Sequence, residues 1–573
     1  MLPSSMIMSI FIKQFTHRID DVWLVLLPIV ISITTCVYWS GFFYSHDVPK
    51  WLFIDVLLSV FVFLNLRKLA SKFSYISFLF GATAYWIATS FVWSSHVYAG
   101  IEFLFRFVLF GFSFSLLVTI YNSEQRKNLL LYSSVLSASL FSIIFFIERW
   151  MDVPVNNGAF TPIGFTNNAG HIFNIWIPAL CYFAWCNRFR YVWLLGVSVI
   201  LLSVLHVLNI SHIRTTVIAL ALGVLVFLFL QSRRLLERGN LSLRMPLVII
   251  GITSLVGYAT SQSSFALPHT LSASFSAIEE PLDNYRPRLN MVLNSWDMLK
   301  ENPFGVGANN FEFIHPEYAK VGTHQASEFV SEKQILKTPH NFLAKVFTEL
   351  GWIGGILFSL IYLWLIVKAF QLVIAEPNRW WIFIALFAFL THSLLSQVFL
   401  SPMSYIFAIL LFAALIRGKK EVTIAKPSNK TVLSSVAIFA LIVPALSFMT
   451  TVSHFYHYQG VSNQNIEKLE KSVSIYPGNE AAWLELSMAY FYGPKDLDSA
   501  ITASESFLSL NPNHIYGRHF YGMLLVYKKD CAKAVKTLGG LLKYYPSYKK
   551  AEHLFHQAQD CSLRQQNELL SSR

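Results

Sequence analysis

Apolar runs long enough to cross about 30 Å of hydrocarbon recur along most of this chain. They lie near 22–45, 51–66, 74–94, 101–121, 128–148, 169–186, 191–208, 215–231, 246–260, 341–367, 380–400, 401–416 and 431–452. The fold this predicts is all-α, a polytopic membrane helical bundle of about 13 spans. Composition agrees: 54% of the 573 residues are hydrophobic, 16% aromatic and only 13% charged, with a mean hydropathy of +0.49, as in polytopic membrane proteins. The net charge of +12 is then no nucleic-acid signal, because lysine and arginine in such a chain report orientation first. Residues 1–21 carry Lys13 and Arg18 but no short apolar region with a small-residue cleavage site, so no removable signal peptide is expected.

Orientation follows from the short loops. With the N-terminus inside, the inner segments hold Lys13, Arg18, Arg67, Lys68, Lys72, Arg126, Lys127, Arg188, Arg190, Arg233, Arg234, Arg238, Arg244, Lys368, Arg379, Arg417, Lys419, Lys420, Lys426 and Lys430. The outer short loops hold Lys50, Arg149 and Arg214. Twenty against three is the asymmetry of cytoplasmic against outer loops. It places the 261–339 loop and everything after 452 outside, and divides the chain into a membrane domain, 1–452, and an outer domain, 453–573.

In the outer part the sequence repeats itself. Prolines stand at 477, 512 and 546 in S-I-Y-P-G-N, S-L-N-P-N-H and K-Y-Y-P-S-Y, and Ala500 and Ala534 precede the last two by the same interval. With Trp483, Leu486 and Tyr490 in the first helix, a period of about 34 residues resembles tetratricopeptide repeats. Such stacked helix pairs either cap the membrane part or offer a groove to a partner. Asp496-Leu497-Asp498 resembles the DxD metal site of nucleotide-sugar glycosyltransferases, but it stands where a repeat helix would start, and aspartates there cap backbone N–H groups. Asp530-Cys531 would begin one repeat helix and Cys561 would lie just past the end of the next, about 547–560. A Cys531–Cys561 disulfide is therefore expected. No Walker loop, H-E-x-x-H or G-x-S-x-G occurs, which argues against ATP-driven or metal-hydrolytic chemistry.

The polar stretch from Arg288 to Gly351 is the candidate site, since a loop this long between spans is usually functional. Pro287 suits a first helical position, and the helix from there would end at Asn302-Pro303. Arg288, Val292 and Trp296 share its i, i+4, i+8 face, expected to rest on the membrane domain. Gly305-Val306-Gly307 reads as a plain turn. His340 opens the next span beside Asn341, nine residues before Glu349-Leu350-Gly351. Arg214, alone, reads as a snorkelling interfacial residue. Arg106 with Glu102 is an intramembrane charge, either a further site candidate or a self-satisfied i, i+4 pair.

Four motifs in order resemble the O-antigen ligase superfamily: P-I-G-F-T-N-N-A-G-H-I-F at 162–173, S-H-I-R-T-T before a span, R-L followed fifteen residues after the arginine by P-F-G-V-G-A-N-N-F, and H-N-F-L-A-K-V-F-T-E-L-G-W-I-G-G. The family comprises O-antigen ligases, O-antigen polymerases and bacterial protein O-oligosaccharyltransferases. The resemblance implies a glycosyltransferase-C-like bundle in the bacterial inner membrane, N-terminus cytoplasmic and C-terminal domain periplasmic. It implies glycan transfer from a polyprenyl diphosphate carrier to a hydroxyl, with no cofactor, nucleotide sugar or metal. Arg214 and Arg288 match the family's diphosphate-binding arginines, and His340 its essential histidine. Asn167, Asn168, His171, Asn341, Glu349 and His392 are further candidates, with Arg106 beside them. The chain departs where a tryptophan is usual at Val292 and where a glutamine-rich asparagine motif is reduced to Thr166-Asn167-Asn168.

These residue types suit the chemistry. A diphosphate is already a good leaving group, so no second carboxylic acid of the glycosidase kind is needed. Guanidinium groups can hold its developing charge bidentately, and a histidine near its unperturbed pKa of ~6.5 can accept a hydroxyl proton. Three readings remain. A protein O-oligosaccharyltransferase is favoured by the repeat tail and by T-H-S-L-L-S-Q-V-F-L-S-P-M-S-Y at 391–405, which resembles the His-Ser-Leu block of that branch, although Ser396 stands where an acidic residue is usual. A ligase or polymerase would use lipid A core or a growing glycan as acceptor. A secondary transporter would need discontinuous helices with polar groups at the midplane and comes last. Partners are thus a lipid-linked glycan, an acceptor protein or lipid A core, and membrane lipids, with no nucleic acid.

Overall fold

The computed structural model describes residues 22–69, 75–150, 160–210, 214–238, 286–321, 323–326, 336–417 and 430–571. Its helices are α1 Val22–Thr34, α2 Asp47–Leu64, α3 Leu66–Leu69, α4 Tyr75–Thr89, α5 Val97–Ile120, α6 Ser123–Trp150, α7 Thr166–Cys186, α8 Tyr191–Ile210 and α9 Arg214–Arg238, then α10 Arg286–Glu301, α11 Phe311–Ile314, α12 Phe342–Ala375, α13 Trp380–Ser393, α14 Pro402–Leu415 and α15 Lys430–Ser462. Beyond them come α16 Ile466–Ile475, α17 Glu480–Tyr492, α18 Leu497–Leu510, α19 Ile515–Tyr527, α20 Cys531–Tyr544 and α21 Lys549–Ser571. A two-residue hairpin, β1 Phe160–Thr161 and β2 Gly164–Phe165, is the one exception to an all-helical fold among the described residues. Each expected span has a helix except 246–260, which lies outside the described residues. Five of the described helices are long and apolar enough to cross a membrane, and four shorter apolar helices accompany them. The protein is membrane-integral.

The bundle is built around α14, all of whose residues are buried, and which packs on α2, α5, α6, α7, α12 and α13. A helix apolar all round belongs in such a core. Next to it α13 lies against both α7 and α9, and this trio holds the polar groups described below. Lys50, read above as an outer-loop charge, is fully buried. Its ammonium donates to Val37 O (2.6 Å) and Pro162 O (3.0 Å), tying the 160–165 hairpin to the α1–α2 connection.

Between α10 and α12 the chain forms a small lobe with its own core of Met291, Met298, Val306, Phe311 and Leu336. The lobe is laced into α12. At Gly351 the helical backbone breaks (φ 65, ψ −165), freeing groups that the preceding loop takes up. Val306 N donates to Thr348 O (3.0 Å), Gly307 N to Glu349 O (2.9 Å) and Trp352 N to Pro303 O (3.0 Å). The strands of backbone approach so closely that a Cβ on Gly305 would lie 2.3 Å from Glu349 O, and one on Gly351 2.3 Å from Pro303 O. Gly305-Val306-Gly307 is thus no plain turn but the docking edge of the lobe.

The boundary expected at 452 lies inside α15, so continuous helix rather than a linker joins the bundle to the C-terminal helices. Ser453 and Ser472 clasp α15 to α16 by reciprocal hydroxyl-to-carbonyl bonds of 2.9 and 2.8 Å. From there each helix packs on the next through α21. Asp496 caps α18 by accepting from Ser499 N (3.1 Å), the capping role expected for it. Cys531 and Cys561 are disulfide-bonded with Cα atoms 5.8 Å apart. Cys561, however, stands within α21 rather than past a helix end, because α21 runs on to Ser571.

Gly351→Ala should destabilise the purified protein by about 3 kcal/mol, since a methyl group there meets rigid backbone and also loses the left-handed conformation. Thermal unfolding in detergent, with Gly196→Ala at an open helical site as control, measures it.

Candidate active site

His340 is set by the turn that precedes α12. It adopts φ 52, rare for a residue with a side chain, and its backbone N–H is held by Thr338 Oγ1 (3.3 Å). Thr338 in turn donates to Gln397 Oε1 (3.0 Å), from the α13–α14 connection. The imidazole is half-buried, and its pKa is lowered to about 4, first by burial and then by the charge of Arg288. The ring is therefore neutral at pH 7. This differs from the near-unperturbed value expected, because the sequence gives no view of burial.

Arg288 enters from the first turn of α10 and is exposed. Of the face expected to rest on the membrane domain, Trp296 makes such a contact, edge to face with Trp352 of α12, while Arg288 does not lie on the buried side. Asn290, Met291, Asn294, Ser295, Met298 and Leu299 are buried, while Arg288 and Trp296 are exposed and Val292 is half-buried. The reason is local: the helix rests on its own lobe, where Asn290 donates to His324 O and Ala326 O (3.1 Å each) and Asn294 to Gln325 O (3.1 Å).

A buried polar network underlies the site. His171 Nε2 meets Ser396 Oγ at 2.9 Å, and its ring lies edge-on to His392 with centroids 4.7 Å apart. The Asn174 amide reaches His392 Nδ1 (2.7 Å), which leaves Nε2 to bond Thr215 Oγ1 (2.9 Å). Thr216 Oγ1 donates to Gly170 O (3.0 Å). The first turn of α9 is therefore fixed to α7 and α13 at the residues that follow Arg214. The Arg214 side chain and that of Asn167 lie outside the described residues, and Asn168 is half-buried in the first turn of α7. His171 is within electrostatic reach of both His392 and His340, residues from three different elements.

Other candidates have structural roles. Asn341 caps α12 by accepting from Ala344 N (2.9 Å). Glu349 is buried, paired with Lys345 (2.7 Å), and accepts from Phe311 N (3.1 Å). Lys345 also donates to Asn309 Oδ1 (2.8 Å), so the pair clasps the lobe to α12. Arg106 belongs to a separate cluster: it bonds Asp55 (3.3 Å) as well as Glu102 (3.4 Å), and lies 4.1 Å over the Trp51 ring. Tyr476, from the C-terminal helices, donates to Glu102 (2.5 Å). The i, i+4 pair expected is thus one side of a larger set whose key carboxylate, Asp55, was not singled out. Asn174 and Thr215 were also missed, though a polar residue one turn from His171 in an apolar span was a visible signal. Among the described residues no group of three or more His, Cys, Asp or Glu could hold a metal ion.

Removing one member of the Lys345–Glu349 pair strands the other charge in the interior, at a cost of about 3 kcal/mol. Lys345→Met and Glu349→Gln should each lower stability by that order, and the double variant by clearly less than their sum. Unfolding of the four proteins, as a double-mutant cycle, tests the clasp.

Residues 197–359 match the family model described as O-Antigen ligase. The matched segment contains Arg214, Arg288 and His340, from α8 to the first half of α12. No curated protein matches the chain.

Proposed function

We propose that this chain, whose residues 197–359 match the O-Antigen ligase family model, is a member of that superfamily and transfers a glycan from a polyprenyl diphosphate to an acceptor hydroxyl, most simply on protein. The reaction class is that of a membrane glycosyltransferase. The observation that carries the reading is a half-buried His340 at the mouth of α12, within electrostatic reach of the permanent charge of Arg288, in the matched segment that also holds Arg214.

In the transfer, the acceptor oxygen bonds to the anomeric carbon while the bond from that carbon to the diphosphate oxygen breaks. The bonding pair leaves with the diphosphate, and the hydroxyl proton passes to the free imidazole nitrogen of His340. Arg214 and Arg288 hold the charge that develops on the leaving group, where a planar fork is worth more than a point charge. A base whose pKa is near 4 is weak, but the departing diphosphate beside it favours its protonated form as charge moves. Thr338 fixes the turn of His340, and the His392 network fixes the start of α9.

The inner membrane, with a cytoplasmic N-terminus and periplasmic 261–339 loop and C-terminal helices, is the location that the lysine and arginine asymmetry supports. The protein acceptor is favoured by the C-terminal helices, whose period resembles tetratricopeptide repeats and whose first members pack on the bundle. Ligation to lipid A core or glycan polymerisation is the alternative. Purified enzyme with lipid-linked oligosaccharide and two acceptors, a pilin-like protein and lipid A core, decides between them by which becomes labelled.

Arg214→Ala, Arg288→Ala and His340→Ala should each reduce transfer by about 10²-fold or more with the protein still in the membrane, and lysine should rescue poorly at either arginine. Near-normal turnover of Arg288→Ala would sink the diphosphate assignment. The base must be neutral to act, so kcat/KM should hold steady as pH drops from 7 and decline only toward pH 4. An acid limb centred near 6.5 would contradict the low pKa of His340.

A further inference from the structure

The outward face of α10 is wrong for water. On a helix of 3.6 residues per turn, Trp296, Leu289 and Leu293 fall within about 60° of arc, and they are 45%, 58% and 50% exposed. The inward face meanwhile spends Asn290, Asn294 and Ser295 on the interior of the lobe. A helix bathed by solvent places its leucines and tryptophan the other way round. The apolar strip does not stop at α10. Trp296 meets Trp352 edge to face, with centroids 5.6 Å apart, and Trp352 heads an exposed stripe of Ile353, Ile356, Leu360, Leu363 and Val367 on α12.

That stripe recurs at helical spacing along a segment apolar enough to cross a membrane. The backbone break at Gly351 leaves 24 residues, Trp352 to Ala375, or about 36 Å of helix, which is enough to span. Trp352 therefore stands at the top of the span. Trp86, Trp93 and Phe304 gather beside it, with centroids 5.9 to 6.4 Å apart, and tryptophans collect where hydrocarbon meets headgroups.

We propose that α10 is an in-plane membrane helix whose Leu289, Leu293 and Trp296 edge sits in the headgroup–acyl boundary of the bilayer, continuous with the lipid-facing stripe of α12. The occupant of this face is bilayer lipid. Contiguous exposed apolar surface of this kind marks an interaction site, and amphipathic helices bind interfaces by burying it. Arg288 flanks the strip, so lipid contact along α10 sets the height of that guanidinium at the headgroup layer. This last step rests on the diphosphate reading above. The insertion itself does not.

Site-directed spin labelling tests it in the full-length protein, reconstituted in nanodiscs of phosphatidylethanolamine and phosphatidylglycerol. Cys36, Cys181 and Cys186 are replaced by serine, and the label is placed by Leu289→Cys, Leu293→Cys or, as an exposed control in the same lobe, Glu317→Cys. The labels at 289 and 293 should collide with oxygen several-fold more often, relative to a water-soluble nickel chelate, than the label at 317. Equal chelate access at 293 and 317 would overturn the proposal. So would a label at 293 shielded from both probes, as beneath a protein segment. Because depth is read without turnover, an inserted α10 with an active Arg288→Ala enzyme would overturn the diphosphate reading alone.

Discussion

The lacing of the 303–307 loop into the broken backbone at Gly351 is the constraint on which the site depends. A helix interrupted in a membrane protein exposes carbonyl and amide groups that lipid cannot satisfy. Here the loop supplies partners for Thr348 O, Glu349 O and Trp352 N, and only glycines at 305 and 351 allow the backbones so near. One set of hydrogen bonds therefore ends the outer segment of α12, starts its membrane-crossing segment and fixes the lobe that carries Arg288. His340 sits at the front of the same helix. The arginine and the histidine are thus referred to one piece of backbone, although half a hundred residues of sequence separate them.

Around that joint, charge is handled in two ways. Lys345 and Glu349 neutralise each other in the interior, and Asn309 and the Phe311 amide use their remaining valences. His171 and His392 instead remain in a network of neutral donors and acceptors, Ser396, Asn174 and Thr215. Neutral partners suit a site proposed to receive a diphosphate, because they hold helices in register without contributing a competing counter-charge.

Much of this was legible in the sequence, and the rest was not for physical reasons. Apolar length predicted the helices because a bilayer leaves the backbone no alternative, and Asp496 read correctly as a cap because capping is local. The order of Arg214, Arg288 and His340 was visible too. What could not be read was anything that depends on a non-local partner. Gly305 gave no sign that another helix would come within 2.3 Å of a methyl group on it, nor Gly307 that Ser94 would come within 2.7 Å. Asp55 lies fifty-one residues before Arg106, so the i, i+4 partner Glu102 stood in for the whole cluster. The buried face of α10 was only partly read because periodicity reports which residues are apolar, not which neighbours a lobe of its own will supply.

The unbroken course of α15 has a mechanical consequence. With 33 residues and Pro444 among them, at about 1.5 Å each it traces about 50 Å of helix, rooted among the bundle helices and ending as the first strut of the C-terminal array. A helix transmits rotation as well as distance, so one inserted residue near Thr450 would turn everything beyond it by about 100° and raise it by about 1.5 Å. The bearing of the array relative to the bundle is therefore gauged by residue count, as on a screw thread. Drift in loop lengths can alter what the array touches. Drift in the length of this helix would swing the whole array away from Glu102 and the rim of α5.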